Sequence, residues 1–369
     1  MKSPLYGKLS GRALFGKLLD SASDLTKNGR LVDATVAIQR ALNSAGLLKT
    51  PPAANDSTAS PPARVIDGEF VDVTAPRAHV RAAPETAASK GGAQFLAGVH
   101  RAAAGTRDYK LFVPATQRGG QLPMVVMLHG CKQNPDDFAA GTRMNQLAQK
   151  HGVMVLYPAQ GPRSNSSKCW NWFQPGDQRR GQGEPALLAA MTQHISAEYG
   201  ADPQQVFVAG LSAGGAMAAI LGREYHDVFA AVGVHSGLPA GAAHDVTSAF
   251  AAMQSGAQRP ASASHGAPII VFHGDRDSTV NAVNGEQLIA AQAGITAPSA
   301  HAGEAGRRFT RSVYQRDGRV QAEHWLIHGA GHAWSGGSSE GSYTDPLGPD
   351  ASAEFLRFFL AQSARARAL

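Results

Sequence analysis

The segment GLSAGG at 210–215 carries the clearest chemistry in the chain. It follows a β-rich run at 206–209 and precedes a stretch of small, helix-forming residues, which puts Ser212 on a sharp strand-to-helix turn. Glycines at 210 and 214 keep neighbouring backbone away from a hydroxyl projecting from such a turn. The N-terminus of the following helix favours a developing anion. A serine presented in this way is suited to attack an acyl carbon, and it needs a base that is itself oriented by an acid. On this kind of turn the chain order is Ser, then Asp or Glu, then His.

Both partners are present in that order. The apolar run 269–273 leads into GDRDSTV, offering Asp275 and Asp277, and the run 324–328 leads into GAGHAWSGG, offering His332. Asp275 lies close to its strand end and reads as a turn residue or an ion-pair partner of Arg276. Asp277, two residues further out, better reaches a neighbouring loop and is the expected acid. His328 ends its strand and reads as structural, whereas His332 lies on a Gly-lined loop and is the expected base. The other histidines, His273 and His151 among them, read as core or surface residues.

An acyl-transfer site also needs N–H donors for the oxyanion. One is expected from the residue after the nucleophile, Ala213, and the other from the loop HGCKQNP after the run 124–129, where Cys131 N–H is the candidate. Backbone groups do this work, so the Cys131 side chain is free for another purpose. A catalytic cysteine is disfavoured beside Ser212. A second loop, KCWNWF at 168–173, holds Trp170 and Trp172 on one side of an extended segment. They suit either the core or an aromatic wall of a substrate pocket, and Trp334 would line the same cleft.

These residues need a rigid frame. β-rich runs at 109–113, 124–129, 153–157, 206–209, 230–234, 269–273 and 324–328 alternate with helical candidates at 136–150, 184–198, 213–224, 283–292 and 351–363. Continuous apolar strands separated by helices predict an α/β fold, a mostly parallel sheet covered by helices on both faces. The site is then expected at the carboxyl ends of the strands.

Upstream the texture differs. Residues 1–49 read as a basic helical hairpin, with Leu14, Phe15, Leu18 and Leu19 forming an apolar stripe, and residues 50–91 as a Pro/Ala-rich linker. The catalytic part is expected over 92–364. The formal net charge is +6, and residues 1–50 hold eight Lys or Arg against three Asp. The basic character therefore belongs to the extension, which suggests an anionic surface or granule as its partner. No Lys/Arg stripe interleaved with aromatics points to nucleic acid. No apolar run is long enough to span a membrane. No secretory signal is evident, so a cytoplasmic location is expected. The histidines lack metal-site spacing, and neither a metal nor an organic cofactor is expected.

The motifs HGCKQNPDDF, CWNWF, GLSAGGAM, FHGDRDSTV and GHAWSGG, in this order across roughly 92–364, resemble the polyhydroxybutyrate depolymerase family of esterases. The resemblance implies an α/β-hydrolase fold, a Ser212–His332–Asp277 triad and hydrolysis of carboxylic esters. It points to poly(3-hydroxybutyrate), its oligomers or other short-acyl esters as substrates. Feruloyl and acetylxylan esterases share the family and are the alternative; a peptidase has less support. An inactive adaptor docking through the N-terminal hairpin is a reading of a different class. The resemblance also places Cys131 and Cys169 beside the site, where a disulfide between them is expected. Two unrelated thiols are the alternative in a reducing compartment.

Overall fold

The structure is a computed structural model that describes residues 92–115, 120–258, 266–296 and 298–366. The hairpin expected over 1–49 and the linker over 50–91 lie outside the described residues.

Ten strands form one sheet: β1 (Gln94–Ala102), β2 (Gly105–Val113), β3 (Leu122–Leu128), β4 (Met154–Pro158), β5 (Ala201–Leu211), β6 (Ala231–His235), β7 (Ile269–Gly274), β8 (Ser299–Ala305), β9 (Arg307–Arg316) and β10 (Arg319–Ile327). Their spatial order is β1-β2-β4-β3-β5-β6-β7-β10-β9-β8. The central strands from β4 to β10 pair in parallel, and antiparallel strands close both edges. The helices are α1 (Pro135–Thr142), α2 (Met144–His151), α3 (Gly183–Tyr199), α4 (Ala213–Glu224), α5 (Val246–Ser255), α6 (Val283–Ala290) and α7 (Ala351–Ala366).

Successive side chains of a strand point to opposite faces, and here both faces are covered. Met124, Val126, Val206, Val208, Val232, Val234, Ile269 and Val271 pack on one side with residues of α3 and α4. Val125, Met127, Phe207, Ala209, Ile270, Phe272 and Trp325 pack on the other with α7, whose Phe355, Phe358 and Phe359 are buried. Full burial of each such aromatic stabilises by roughly 1.5–3 kcal/mol. This two-sided burial explains why the central strands read as unbroken apolar runs.

Several elements depart from the reading by periodicity. The helix expected over 136–150 is two helices, divided at Arg143 in a left-handed conformation with φ 53°. β1, β8, β9 and α5 were not expected. β8 has the sequence SAHAGEA and is almost wholly exposed, and β9 carries four arginines and no fully buried residue, so neither buries enough apolar surface to read as a strand. α5 begins with a capping box, in which Asp245 accepts from Ser248 N–H and the Ser248 hydroxyl accepts from Asp245 N–H. No helix among the described residues is long and apolar enough to cross a membrane.

Parallel register sets the carboxyl ends of five strands along one sheet edge. Leu128 of β3 lies beside Gly210 of β5, Leu211 beside His235 of β6, His235 beside Phe272 of β7, and Gly274 beside Ile327 of β10. Cys131, Ser212, Asp277 and His332 follow β3, β5, β7 and β10 within a few residues.

Candidate active site

Ser212 adopts φ 58°, ψ −120° between β5 and α4, a conformation that costs a non-glycine residue about 1–3 kcal/mol. The surroundings enforce it. Ser212 N–H donates to His235 O at 2.9 Å, and Ser212 O accepts Ala216 N–H at 2.9 Å. The glycines on either side allow unusually close approach. A methyl group on Gly210 would lie 2.3 Å from Gly214 C, and one on Gly214 would lie 2.1 Å from Leu128 O. The second contact brings the start of α4 against the end of β3, and with it the loop that carries Cys131.

Asp277 and His332 meet across two loops. Asp277 Oδ2 lies 2.7 Å from His332 Nδ1, while Asp277 Oδ1 accepts the N–H groups of Thr279 and Val280 at 2.9 and 2.8 Å. A carboxylate only accepts, so Nδ1 carries the imidazole proton and Nε2 is left with its lone pair. Burial pushes the Asp277 carboxyl up, but the His332 hydrogen bond and charge and the Val280 N–H outweigh it and hold the carboxyl below its ordinary value. Asp275 has a different partner: it accepts from His328 Nδ1 at 3.0 Å and from Gly329 N–H at 2.7 Å. The two Asp–His pairs together fasten the loop after β7 to the loop after β10. Ser212 and His332 are both half-buried, as a group open to a small molecule must be.

Neither Cys131 N–H nor Ala213 N–H has an acceptor among the described residues. Cys131 and Cys169 form a disulfide with Cα atoms 4.2 Å apart, joining the loop after β3 to the loop after β4.

The family model for esterase PHB depolymerase matches residues 107–308, over half of the chain. The chain belongs to the esterase PHB depolymerase family. Poly(3-hydroxyalkanoate) depolymerase C of Paucimonas lemoignei is 36% identical over 180 residues, covering 45% of this chain and 43% of that protein. Feruloyl esterase B of Neurospora crassa is 34% identical over 116 residues, covering 31% and 39%. The chain thus spans less than half the length of each of these relatives. Acetyl xylan esterase from Aspergillus awamori superposes with a TM-score of 0.54 at 21% identity, covering 66% of this chain and 94% of that one. That likeness establishes the α/β-hydrolase fold.

In this family member the tryptophans expected at the cleft stand behind it. Trp170 is fully buried and its indole N–H donates to His129 O at 3.0 Å. Trp334 is buried among Phe138, His235 and Phe355 and donates to Ser352 Oγ at 3.0 Å. Trp172 is buried in the core edge-on to Phe173. Their alternation was compatible with a pocket wall or a core, and the core wins because each indole N–H of Trp170 and Trp334 finds a partner inside. Both therefore brace loops, and none of the three presents an open face to a substrate.

Sequence reasoning missed a buried polar cluster under the loop after β4. Arg107 bonds the Gln160 side chain and pairs with Glu184 at 3.4 Å, and Gln160 Nε2 donates to Glu184 and to Cys169 O. Glu184 Oε2 accepts Asn171 N–H at 2.7 Å, and Arg107 lies over the Trp170 ring. These residues are up to 77 positions apart, and no local pattern links them.

The family member also buries several histidines besides His332. Burial lowers His129 to about 4 and, together with His273, lowers His324 to about 4. Burial with neighbouring His273 and His332 lowers His235 to about 3. In the unfolded chain these rings titrate near 6.5. Between about 6.5 and 4 the unfolded chain therefore binds more protons than the folded one, and stability falls as pH falls. Each ring contributes up to about 1.4 kcal/mol per pH unit. Glu184 and Asp177, pushed up by burial, act in the opposite sense, but His100 and His273 are lowered as well and add to the three rings. The expected result is a melting temperature that drops steeply from pH 6.5 to 4.5; a flat profile in calorimetry would contradict the neutral burial of these rings.

Proposed function

We propose that the chain is a serine carboxylic-ester hydrolase working through an acyl-enzyme, with poly(3-hydroxybutyrate), its oligomers or other short-acyl esters as substrates. The observation that carries the reading is the His332–Asp277 hydrogen bond, which leaves His332 Nε2 as a base at the same sheet edge as the strained Ser212 turn.

In this mechanism Ser212 Oγ attacks the ester carbonyl carbon while His332 Nε2 takes its proton. The carbonyl oxygen becomes an oxyanion and accepts from the N–H groups of Cys131 and Ala213. The tetrahedral intermediate collapses, the C–O bond to the alcohol breaks, and His332 returns the proton to the departing alkoxide. Water then attacks the acyl-enzyme with His332 again as base, releasing the carboxylic acid and restoring Ser212. Asp277 stays ionised throughout, holding the imidazole tautomer and stabilising the imidazolium. The likeness to feruloyl esterase B supports hydroxycinnamoyl esters as a second reading, served by the same residues with a different pocket.

The disulfide between two loops of the site suits an oxidising compartment. It weighs for export over the cytoplasmic location read from the N-terminus.

A panel of p-nitrophenyl butyrate, hydroxybutyrate oligomers, methyl ferulate and acetylated xylan separates the readings. Turnover is expected on the butyrate ester and fastest, among natural esters, on the oligomers. Preference for methyl ferulate or acetylated xylan would move the assignment to the second reading or to a deacetylase. No turnover on any would support an adaptor.

A further inference from the structure

The loop that carries Cys131 is held by side chains that neither donate nor take the proton in the proposed mechanism. His129 Nε2 lies 3.0 Å from Gln160 N, and its Nδ1 lies 2.7 Å from Gly130 O. A backbone N–H can only donate, so Nε2 is the acceptor and Nδ1 carries the ring proton. Gly130 O therefore accepts from His129 Nδ1–H. On the other side of the same residue, Gly130 N–H donates to Gln133 Oε1 at 2.9 Å. The preceding carbonyl, His129 O, accepts from Trp170.

Every backbone polar group from His129 O to Gly130 O thus has a partner in the protein, and the next one, Cys131 N–H, has none among the described residues. The peptide between Gly130 and Cys131 is trans, so its C=O and N–H point in opposite directions. Anchoring the carbonyl on the buried His129 ring turns Cys131 N–H away from that ring.

The clamps are themselves anchored. Gln133 Nε2 donates to Asp137 Oδ2 at 2.8 Å and to Ser342 O at 3.0 Å, tying the loop to the segment beyond His332. Gln160 is held by Arg107 and Glu184. His129 and Gln133 are both buried.

We infer that His129 and Gln133 are positioning residues that aim the Cys131 N–H as an oxyanion donor, through the Gly130 carbonyl and the Gly130 N–H respectively. The inference rests on the hydrolase reading above. Burial keeps His129 neutral at ordinary pH, so the required tautomer persists there.

Two substitutions in the full chain divide the ring's two bonds. In His129→Asn the amide N–H stands near the place of Nδ1 and can still donate to Gly130 O. In His129→Gln the amide oxygen stands near the place of Nε2 and can still accept from Gln160, but the short side-chain donor to Gly130 O is gone and only the longer Gln133 N–H contact at 3.3 Å remains. With p-nitrophenyl butyrate, His129→Gln is expected to lose about 10²-fold in kcat with KM little changed, approaching the effect of losing one oxyanion donor. His129→Asn is expected to keep kcat within about tenfold of the wild type, and inhibition by a boronic acid, a tetrahedral adduct former, should weaken in parallel with kcat. Gln133→Met, which lacks the acceptor for Gly130 N–H, gives the same test if His129→Gln does not fold: kcat should fall by about tenfold or more with KM held.

Equal losses in the Asn and Gln variants, or wild-type kcat in either His129→Gln or Gln133→Met, would overturn the inference. Labelling of wild-type Ser212 by a fluorophosphonate, read by mass spectrometry, keeps the two levels apart. A labelled Ser212 with unchanged kcat in the variants removes the positioning role alone. An unlabelled Ser212 removes the hydrolase reading and the inference with it.

Discussion

Ser212→Ala is expected to lower kcat on a soluble short-acyl ester by about 10⁶-fold, the scale of nucleophile deletions in triad enzymes. No other hydroxyl in the described site follows a parallel strand into a helix start, and the turn is built around this side chain. Gly210 and Gly214 approach each other and the end of β3 too closely for any Cβ, and Ser212 pays backbone strain to hold its position. Alanine fits the same backbone with one atom fewer, so the fold and its melting temperature should be unchanged. The residual rate over water should be about 10³–10⁴-fold, from the oxyanion donors and substrate binding. Retention of a tenth of wild-type activity by the purified variant would exclude Ser212 as the nucleophile.

Asp277→Asn is expected to lower kcat by about 10⁴-fold, with Asp275→Asn within a few-fold of the wild type. The contrast follows from their partners. Asp277 Oδ2 receives His332 Nδ1–H, and its Oδ1 is already taken by two backbone N–H groups. An asparagine at 277 would keep its oxygen on those N–H groups and turn an NH₂ toward His332. The imidazole would then present its Nδ1 lone pair to that donor, moving the proton to Nε2, where it cannot serve as base. Asp275 bonds His328 and Gly329, so its loss loosens the loop without changing a tautomer. Steady-state kinetics of both variants decide the matter, and the reverse order of effects would make Asp275 the acid.

Of the two aspartates in GDRDSTV, which one meets His332 was legible because it depends on local geometry. Asp275 is one residue beyond β7 and bonds the first residues after β10, whereas Asp277 extends far enough to meet His332. The six parallel strands were legible for a similar reason: burial on both faces writes itself as contiguous apolar residues. β8 was not, since a strand exposed on both faces has no apolar signature. The tryptophans were only half legible. Alternation told that Trp170 and Trp172 share a side, but which surface that side meets is set by His129, Arg107 and α3, which are distant in sequence.

By itself the sequence determined the strand–turn–helix at Ser212, the loops that carry Asp277 and His332, and the two cysteine-bearing loops, because each is a matter of residues within one short segment. Tertiary structure alone decided what surrounds them. It placed Trp170 and Trp334 behind the loops, set Asp137 and Gln133 on Ser342 some two hundred residues away, and assembled Arg107, Gln160 and Glu184 beneath Cys169. Such partners are selected by burial. A polar side chain shut away from water must bond whatever the packed chain brings within reach, and that neighbour is a property of the whole fold.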